Sequence, residues 1–232
     1  MQRQIITTAD GSKTIQIEDW NEQYHSVHGA IQEAEHVYIK SGLLYFCNNF
    51  VENSMLKTPT SKASVNVLEI GFGTGLNALL TQLKAEDLQV PINYVGVDAF
   101  PVTLEELKQL NYASQLGVSE TQWQQLHECA WEKTQQISES FSLKKQQLFF
   151  KDITAENQFD VIYFDAFGAR VQPELWTETI FKIMYRALKT NGVLTTYAAI
   201  GSVRRTLKAL GFEVERLTGP PGKRHMTRAI KR

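Results

Sequence analysis

The stretch Val65-Asn66-Val67-Leu68-Glu69-Ile70-Gly71-Phe72-Gly73-Thr74-Gly75 decides the fold of this chain. An apolar run of strand length ends directly in three alternating glycines. Glycines at this point let the backbone approach a ligand closely, because no Cβ intervenes. A tight strand-to-helix turn without a ligand would give the same pattern. The dinucleotide motif G-x-G-x-x-G would need glycine at position 76, which is Leu76.

Short apolar segments alternate with helical segments after this loop. Further strands are predicted at Ile92–Val97, Gln147–Phe150, Phe159–Phe164, Gly192–Tyr197, Phe212–Leu217 and Met226–Ile230. Helices are predicted at Leu76–Leu83, Thr103–Gln109, Ser119–Ser140, Leu175–Leu188 and Val203–Leu210. This alternation predicts an α/β fold with a mostly parallel sheet and helices on both faces. The closing strand pair is typical of the antiparallel edge of a Rossmann-like class I methyltransferase, and favours S-adenosylmethionine over a dinucleotide.

The chain before the glycine loop has a different pattern. Gln4–Thr8 and Thr14–Ile17 resemble the strands of a β-hairpin with an Asp-Gly turn, and a helical stretch runs from Gly29 to about Ser41. Lys57–Lys62 contains Thr, Pro and Ser and is typical of a linker. We therefore predict an N-terminal hairpin-and-helix extension over 1–60 and a methyltransferase domain over 61–232.

Acidic residues follow the predicted strands, at the sheet edge where open α/β folds bind ligands. Asp98 is placed to accept both ribose hydroxyls of an adenosine, and Asp152 to meet an adenine amino group. Helix capping is the alternative for both residues, and for Asp152 it is nearly as good an explanation. Asp165 follows the apolar segment Val161–Phe164, and a charge beside such a core is costly unless it is paired or used. We predict that Asp165 is functional.

Composition and charge limit the setting. The 43% hydrophobic content is ordinary, and no apolar run approaches the about 20 residues that span a bilayer. We therefore expect no membrane association, and two cysteines without metal-ligand spacing indicate a reducing cytoplasm and no metal. Nine basic and two acidic residues lie between Gly201 and Arg232, so this end carries +7 and the remainder −8. A basic end favours an anionic partner, although a solvated surface is an equal alternative.

These segments together resemble the tRNA 5-methylaminomethyl-2-thiouridine-forming methyltransferases, the methyltransferase half of a bifunctional bacterial wobble-uridine enzyme. The matching stretches are Tyr24-His25-Ser26, Gly29-Ala30 with Glu33 and His36-Val37, Glu69–Asn77, Asp165-Ala166-Phe167, Pro173–Thr177, Ser202–Leu207 and Gly222–Met226. The glycine loop is generic, whereas the Asp-Ala-Phe, Pro-Glu-Leu-Trp and Gly-Lys-Arg-x-Met elements are far more specific. One departure is the loop Gly168–Gln172, which differs from the family's usual continuation.

The resemblance implies N-methylation of the primary amine of 5-aminomethyl(-2-thio)uridine at the tRNA wobble position, with S-adenosylmethionine as cofactor. It implies cofactor contacts at Glu69, Gly71, Phe72, Gly73, Thr74, Gly75, Asn77, Asp98, Asp152 and Ile153. Asp165 would be catalytic, and general-base catalysis would require burial to raise its pKa. Phe167 would stack on the base, although it is equally suited to a core. Arg204, Arg205, Lys223 and Arg224 would meet tRNA phosphates.

The chain ends at Arg232, so we expect methylation without the FAD-dependent oxidase of the bifunctional members. Two enzymatic alternatives are a methyltransferase of small-molecule amines and an aminopropyltransferase. A third is an RNA-binding module without catalysis. The pattern does not indicate an oligomeric state.

Overall fold

The computed structural model describes residues 2–51 and 64–232. The chain begins with a small antiparallel sheet of β1 (Arg3–Thr7), β2 (Lys13–Ile17) and β3 (Glu22–Gln23). Helix α1 (Ala30–Ala34) follows and continues in π-helical geometry over Glu35–Leu44 and Cys47–Val51. The predicted hairpin and helix are thus confirmed. The predicted linker Lys57–Lys62 lies outside the described residues.

The main sheet has eight strands. Its strands are, in chain order, β4 (Val65–Ile70), β5 (Ile92–Val97), β6 (Thr134–Ser138), β7 (Phe141–Gln146), β8 (Phe159–Phe164), β9 (Leu188–Thr196), β10 (Phe212–Thr218) and β11 (His225–Lys231). The helices between these strands are α2 (Leu76–Leu88), α3 (Leu104–Leu107), α4 (Tyr112–Leu116), α5 (Glu120–Glu128), α6 (Glu178–Ala187) and α7 (Gly201–Ala209). The spatial order of the strands is β10-β11-β9-β8-β4-β5-β7-β6. The five inner strands from β9 to β7 pair in parallel, whereas β6, β11 and β10 are antiparallel. This arrangement confirms the predicted Rossmann-like class I methyltransferase fold.

Strand β8 shows why the sheet is covered on both faces. All six of its residues are buried, and alternate side chains point to opposite faces. Val161 and Tyr163 join the core that includes the N-terminal helix, while Ile162 and Phe164 join the core under α6. The N-terminal extension therefore shares one hydrophobic core with the main sheet.

The register of the central strands places the site. Ile70 of β4 is aligned with Val97 of β5 and with Phe164 of β8. The next residues along the chain, Gly71, Asp98 and Asp165, consequently emerge at the same edge of the sheet. The strand order reverses at β4, which is the point where doubly wound sheets bind ligands.

Two predicted elements are wrong. The segment Ser119–Ser140 is not one helix, because α5 ends at Glu128 and the chain then forms β6. The strand predicted at Gln147–Phe150 is instead β7, which ends at Gln146. The residues that follow form a loop and a 3₁₀ turn over Phe150–Asp152, so Asp152 does not end a strand.

Candidate functional site

A cavity of about 810 Å³ opens at the carboxyl edge of the central strands. Its lining includes the strand ends with the glycine loop, the N-terminal segment Glu22–His28 with Glu33, the segment Phe149–Lys151, and the turn between β10 and β11. The predicted residues that line it are Gly71, Phe72, Gly73, Thr74, Asn77, Asp98, Asp165, Phe167 and Lys223. The cavity thus brings most of the predicted cofactor residues together with the predicted catalytic one.

The glycine loop has a backbone shape that other residues would strain. Gly71 has φ 89° and Gly73 has φ 47°, both in the left-handed region. A Cβ on Gly71 would lie 2.5 Å from the backbone oxygen of Asp165, and one on Gly73 would lie 3.0 Å from the Tyr24 ring. The loop is a cradle that side chains would fill, which fits the close approach of an S-adenosylmethionine molecule.

Asp98 organises this loop from the neighbouring strand. Its carboxylate accepts hydrogen bonds from the amides of Gly73 and Phe100, each at 2.9 Å. Burial raises the pKa of this carboxyl. Each carboxylate oxygen has more than one lone pair, so both keep capacity to accept a ribose hydroxyl. Asp98 can therefore stabilise the loop and also accept ribose hydroxyls, as the sequence predicted.

Asn77 links two acidic side chains beneath the loop. Its amide nitrogen lies 2.8 Å from Glu69 Oε1 and 2.8 Å from Asp165 Oδ2. Glu69 is fully buried, which raises its pKa well above the usual range. Glu69 and Gly75 are absent from the cavity lining, so they contribute from behind the loop.

Asp165 lies where its charge is both costly and useful. Burial is the main cause that raises its pKa from 3.8 to about 7, and the charge of Glu33 acts in the same direction. The Tyr38 hydroxyl, the Asn77 amide and the Lys223 ammonium oppose this shift. A carboxyl with a pKa near neutrality can take a proton during a reaction and release it afterwards. This is the condition that the sequence alone left open.

Two predicted cofactor residues lie apart from the cavity lining. Asp152 is exposed on the 3₁₀ turn, whereas Ile153 is buried in the core under α6. Their neighbours Phe149, Phe150 and Lys151 line the cavity in their place. Contact between Asp152 or Ile153 and the cofactor remains a prediction.

The N-terminal wall was not anticipated from the sequence. His25 Nε2 lies 2.7 Å from the hydroxyl of Thr74, and the Tyr24 ring packs over Gly73. The Phe167 ring meets Trp20 and Tyr24 edge to face, at centroid distances of 5.6 and 4.9 Å. The motif Tyr24-His25-Ser26 was the available signal, since polar and aromatic residues cluster there without helical or strand periodicity.

The atypical loop Gly168–Gln172 is attached to this wall. Arg170 donates hydrogen bonds to the backbone oxygens of Trp20 and Asn21, and it pairs with Glu22 at 2.7 Å. Trp176 lies in the core and donates from Nε1 to the backbone oxygen of Phe167 at 2.7 Å. The Arg170 contacts hold this segment against the N-terminal extension, and the Trp176 bond ties Phe167 to the core under α6.

The predicted phosphate-binding cations separate into two groups. Arg204 and Arg205 line a surface depression with Lys208 and Arg216, and Arg224 is exposed. Lys223 instead lines the main cavity and forms an ion pair with Glu33. The phosphate contact predicted for Lys223 stays a prediction, and the structure places its ammonium beside Glu33 in the cavity wall.

Neither a membrane-spanning helix nor a metal-binding cluster occurs within residues 2–51 and 64–232. No helix in these ranges has the length and apolar character needed to cross a membrane. In the same part of the chain, no three or more His, Cys, Asp or Glu residues are grouped so as to hold a metal ion.

Comparison with known proteins identifies similar chains. The profile of a family of S-adenosyl-L-methionine-dependent methyltransferases matches residues 117–232, half of the chain. The tRNA 5-methylaminomethyl-2-thiouridine biosynthesis bifunctional protein MnmC of Cupriavidus metallidurans is 28% identical over 222 residues, which cover 90% of this chain and 31% of that protein. The chain thus spans about a third of the length of the curated relatives it matches.

Two solved structures are similar to the whole fold. MNMC2 from Aquifex aeolicus is 25% identical with a TM-score of 0.74, and the match covers 98% of this chain and 69% of that one. Spermidine synthase from Thermotoga maritima is 14% identical with a TM-score of 0.54, covering 100% of this chain and 72% of that one. The second likeness concerns the fold alone.

Proposed function

The chain belongs to a family of S-adenosyl-L-methionine-dependent methyltransferases, and from this premise we propose that it methylates the primary amine of 5-aminomethyl(-2-thio)uridine at the tRNA wobble position. The product would be 5-methylaminomethyl(-2-thio)uridine. The observation that carries the proposal is a carboxylate of nearly neutral pKa, Asp165, beside the glycine loop in one cavity. The similarity to MnmC and MNMC2, the first of which is named for this modification, supports the acceptor.

The cofactor, when bound, supplies a methyl group already activated on a sulfonium. Gly71, Gly73 and Thr74 would hold it by their backbone, and Asp98 would accept the ribose hydroxyls. Asp152 and Ile153 would contact the adenine next to the lining residues Phe150 and Lys151. Glu69 would act through Asn77, whose amide it orients.

The acceptor amine must lose a proton before it reacts. An alkylammonium has a pKa near 10. Transfer of its proton to an ordinary carboxylate, whose pKa is near 4, costs about 8 kcal/mol, whereas transfer to a carboxylate with a pKa near 7 costs about 4 kcal/mol. Burial in the cavity raises the pKa of Asp165 to about 7. We therefore assign it as the base that accepts this proton and aims the nitrogen lone pair. The bound cofactor would supply the methyl group to this nitrogen, and the electron pair of the broken carbon–sulfur bond would remain on sulfur.

Recognition of tRNA would use two further features. The Phe167 ring, held edge to face by Trp20 and Tyr24, would stack on the extruded base. Arg204, Arg205 and Arg224, with Lys208 and Arg216 beside them, would contact phosphates. Such contacts add affinity without reading sequence.

The test is mass analysis of wobble nucleosides after the protein is incubated with S-adenosylmethionine and hypomodified tRNA. The expected result is a gain of one methyl group on 5-aminomethyluridine or its 2-thio form. A protein that methylates free small amines and leaves tRNA unchanged would overturn the proposed acceptor. Transfer of an aminopropyl group from decarboxylated S-adenosylmethionine would overturn the proposed reaction.

A further inference from the structure

The turn between β10 and β11 brings a cation into the cavity. Lys223 forms an ion pair with Glu33 of helix α1, 190 residues earlier in the chain. The ammonium also lies 3.9 Å from the centroid of the Tyr197 ring. Two contacts from different elements fix its position, so the long side chain is held rather than free to move in solvent.

The partner of this cation is itself held in place. Glu33 is 5% exposed, and its second carboxylate oxygen accepts a hydrogen bond from the Ser26 amide at 2.9 Å. The Tyr197 hydroxyl donates to the backbone oxygen of Ala166 at 2.8 Å, which fixes the ring under the ammonium. The pair is therefore part of the cavity wall and not a mobile surface contact.

Lys223 keeps donor capacity toward the cavity. An ammonium has three N–H groups, and Glu33 is the one hydrogen-bond acceptor of the Lys223 side chain among the described residues. About a third of the side chain remains accessible, and both Lys223 and Asp165 line the same cavity. The cavity thus presents a fixed donor and a fixed acceptor to one bound molecule.

We propose that Lys223 is a specificity-determining residue that donates a hydrogen bond to the carbonyl oxygen at position 4 of the uracil ring, while Asp165 receives the amine. This inference rests on the proposed function. The aminomethyl group is attached to ring carbon 5, which is bonded to the carbonyl carbon at position 4. The amine and the carbonyl oxygen therefore lie on the same edge of the base. The cavity offers the complementary acceptor and donor, and a simple alkylamine would use only the first.

The same geometry would discriminate against cytosine. Cytosine carries an amino group where uracil carries this oxygen, so an ammonium would face another donor. Discrimination from one charged hydrogen bond is about tenfold to a hundredfold. Lys223 also opposes the rise of the Asp165 pKa, which is consistent with their sharing one electrostatic environment.

The test uses synthetic anticodon stem-loop RNAs with either 5-aminomethyluridine or 5-aminomethylcytidine at the wobble position. The wild-type protein should methylate the uridine RNA at least about tenfold faster in kcat/KM. Lys223→Met with Glu33→Gln removes the pair without leaving a buried carboxylate unpaired. This double variant should lose most of the preference, and Lys223→Arg should keep part of it. A merely structural role would lower both rates and leave their ratio unchanged.

Lys84→Met is the matched control, because Lys84 forms a similar pair with Asp87 on the surface of α2, outside the cavity lining. It should retain the wild-type ratio. Cofactor binding by calorimetry shows whether each variant is folded. A double variant that keeps the full preference for uridine would overturn the role of Lys223 alone. A wild-type protein that methylates neither RNA would overturn the proposed function, and this inference with it.

Discussion

Replacing Asp165 by Asn should make the protein more stable and inactive at the same time. The native state raises the pKa of Asp165 from 3.8 to about 7, so it retains a proton at pH values where the unfolded chain has released it. Stability therefore falls as pH rises from about 4 to about 7. The difference between the two pKa values corresponds to about 4 kcal/mol of unfolding free energy, fully lost above pH 7. The asparagine side chain cannot ionise, yet its carbonyl can still accept from Asn77.

The measurement is urea unfolding of both proteins at pH 4 and pH 8. The Asp165→Asn variant should gain up to about 4 kcal/mol over wild type at pH 8 and little at pH 4. Its methyl transfer should fall by about 10²- to 10⁴-fold, while calorimetry shows that the cofactor still binds.

Asp160→Asn is a matched control on the same strand. Asp160 forms an ion pair with Lys189 at 2.8 Å and accepts from the Asn66 amide, so its loss should destabilise the protein. Equal stability of Asp165→Asn and wild type at pH 8 would refute the burial argument. Undiminished methyl transfer would remove Asp165 from the mechanism.

Three further predictions follow from the same geometry. Gly71→Ala should weaken cofactor binding at least about tenfold in calorimetry, because its Cβ would meet the Asp165 backbone oxygen at 2.5 Å; unchanged affinity would show that the loop can shift. The kcat/KM for wild type should rise with pH through about 7, a step that Asp165→Asn should lack in a pH–rate profile. Reversing the charges of Arg204 and Arg205 should weaken tRNA binding and leave cofactor affinity unaltered. The slope of log binding constant against log salt concentration should fall by about one for each phosphate contact that is lost. An unchanged slope would remove both residues from the interface.

The inner strands could be predicted because their apolar sequences match their burial in the middle of the sheet. Val65–Ile70 and Phe159–Phe164 are apolar runs that are in fact buried on both faces. The family resemblance carried by the glycine loop and the Asp-Ala-Phe element is also confirmed. In each case the deciding residues are neighbours in sequence, so no distant contact is needed to recognise them.

Strand β7 was missed because one of its inward positions holds a cation. Phe141, Leu143 and Lys145 alternate toward the core, but a lysine there breaks the apolar pattern. Lys145 is tolerated because its ammonium donates to the backbone oxygen of His127 at 2.7 Å. That partner lies in α5, so the sequence pattern alone could not supply the compensation.

The site residues also divide into those whose positions the sequence predicts and those whose positions depend on distant contacts. The positions of Gly71, Asp98 and Asp165 follow from the rule that parallel strands deliver their ends to one edge. The inward direction of Lys223 does not, since it depends on Glu33 near the other end of the chain. The raised pKa of Asp165 likewise depends on burial by an N-terminal segment whose docking no local pattern reveals.

The contact between Gly71 and the backbone of Asp165 constrains how this protein can change its acceptor. The Asp165 amide donates to the Ile70 oxygen at 2.9 Å, and the missing Cβ of Gly71 leaves room for the Asp165 oxygen. Donor site and base are thus built on adjoining backbone, and a mutation in either disturbs both. The walls that carry Glu33 and Lys223 lack that backbone contact and act on Asp165 through their charges alone. We expect new acceptor specificities to evolve, or to be selected in the laboratory, through substitutions on those walls while the edge of the sheet stays fixed.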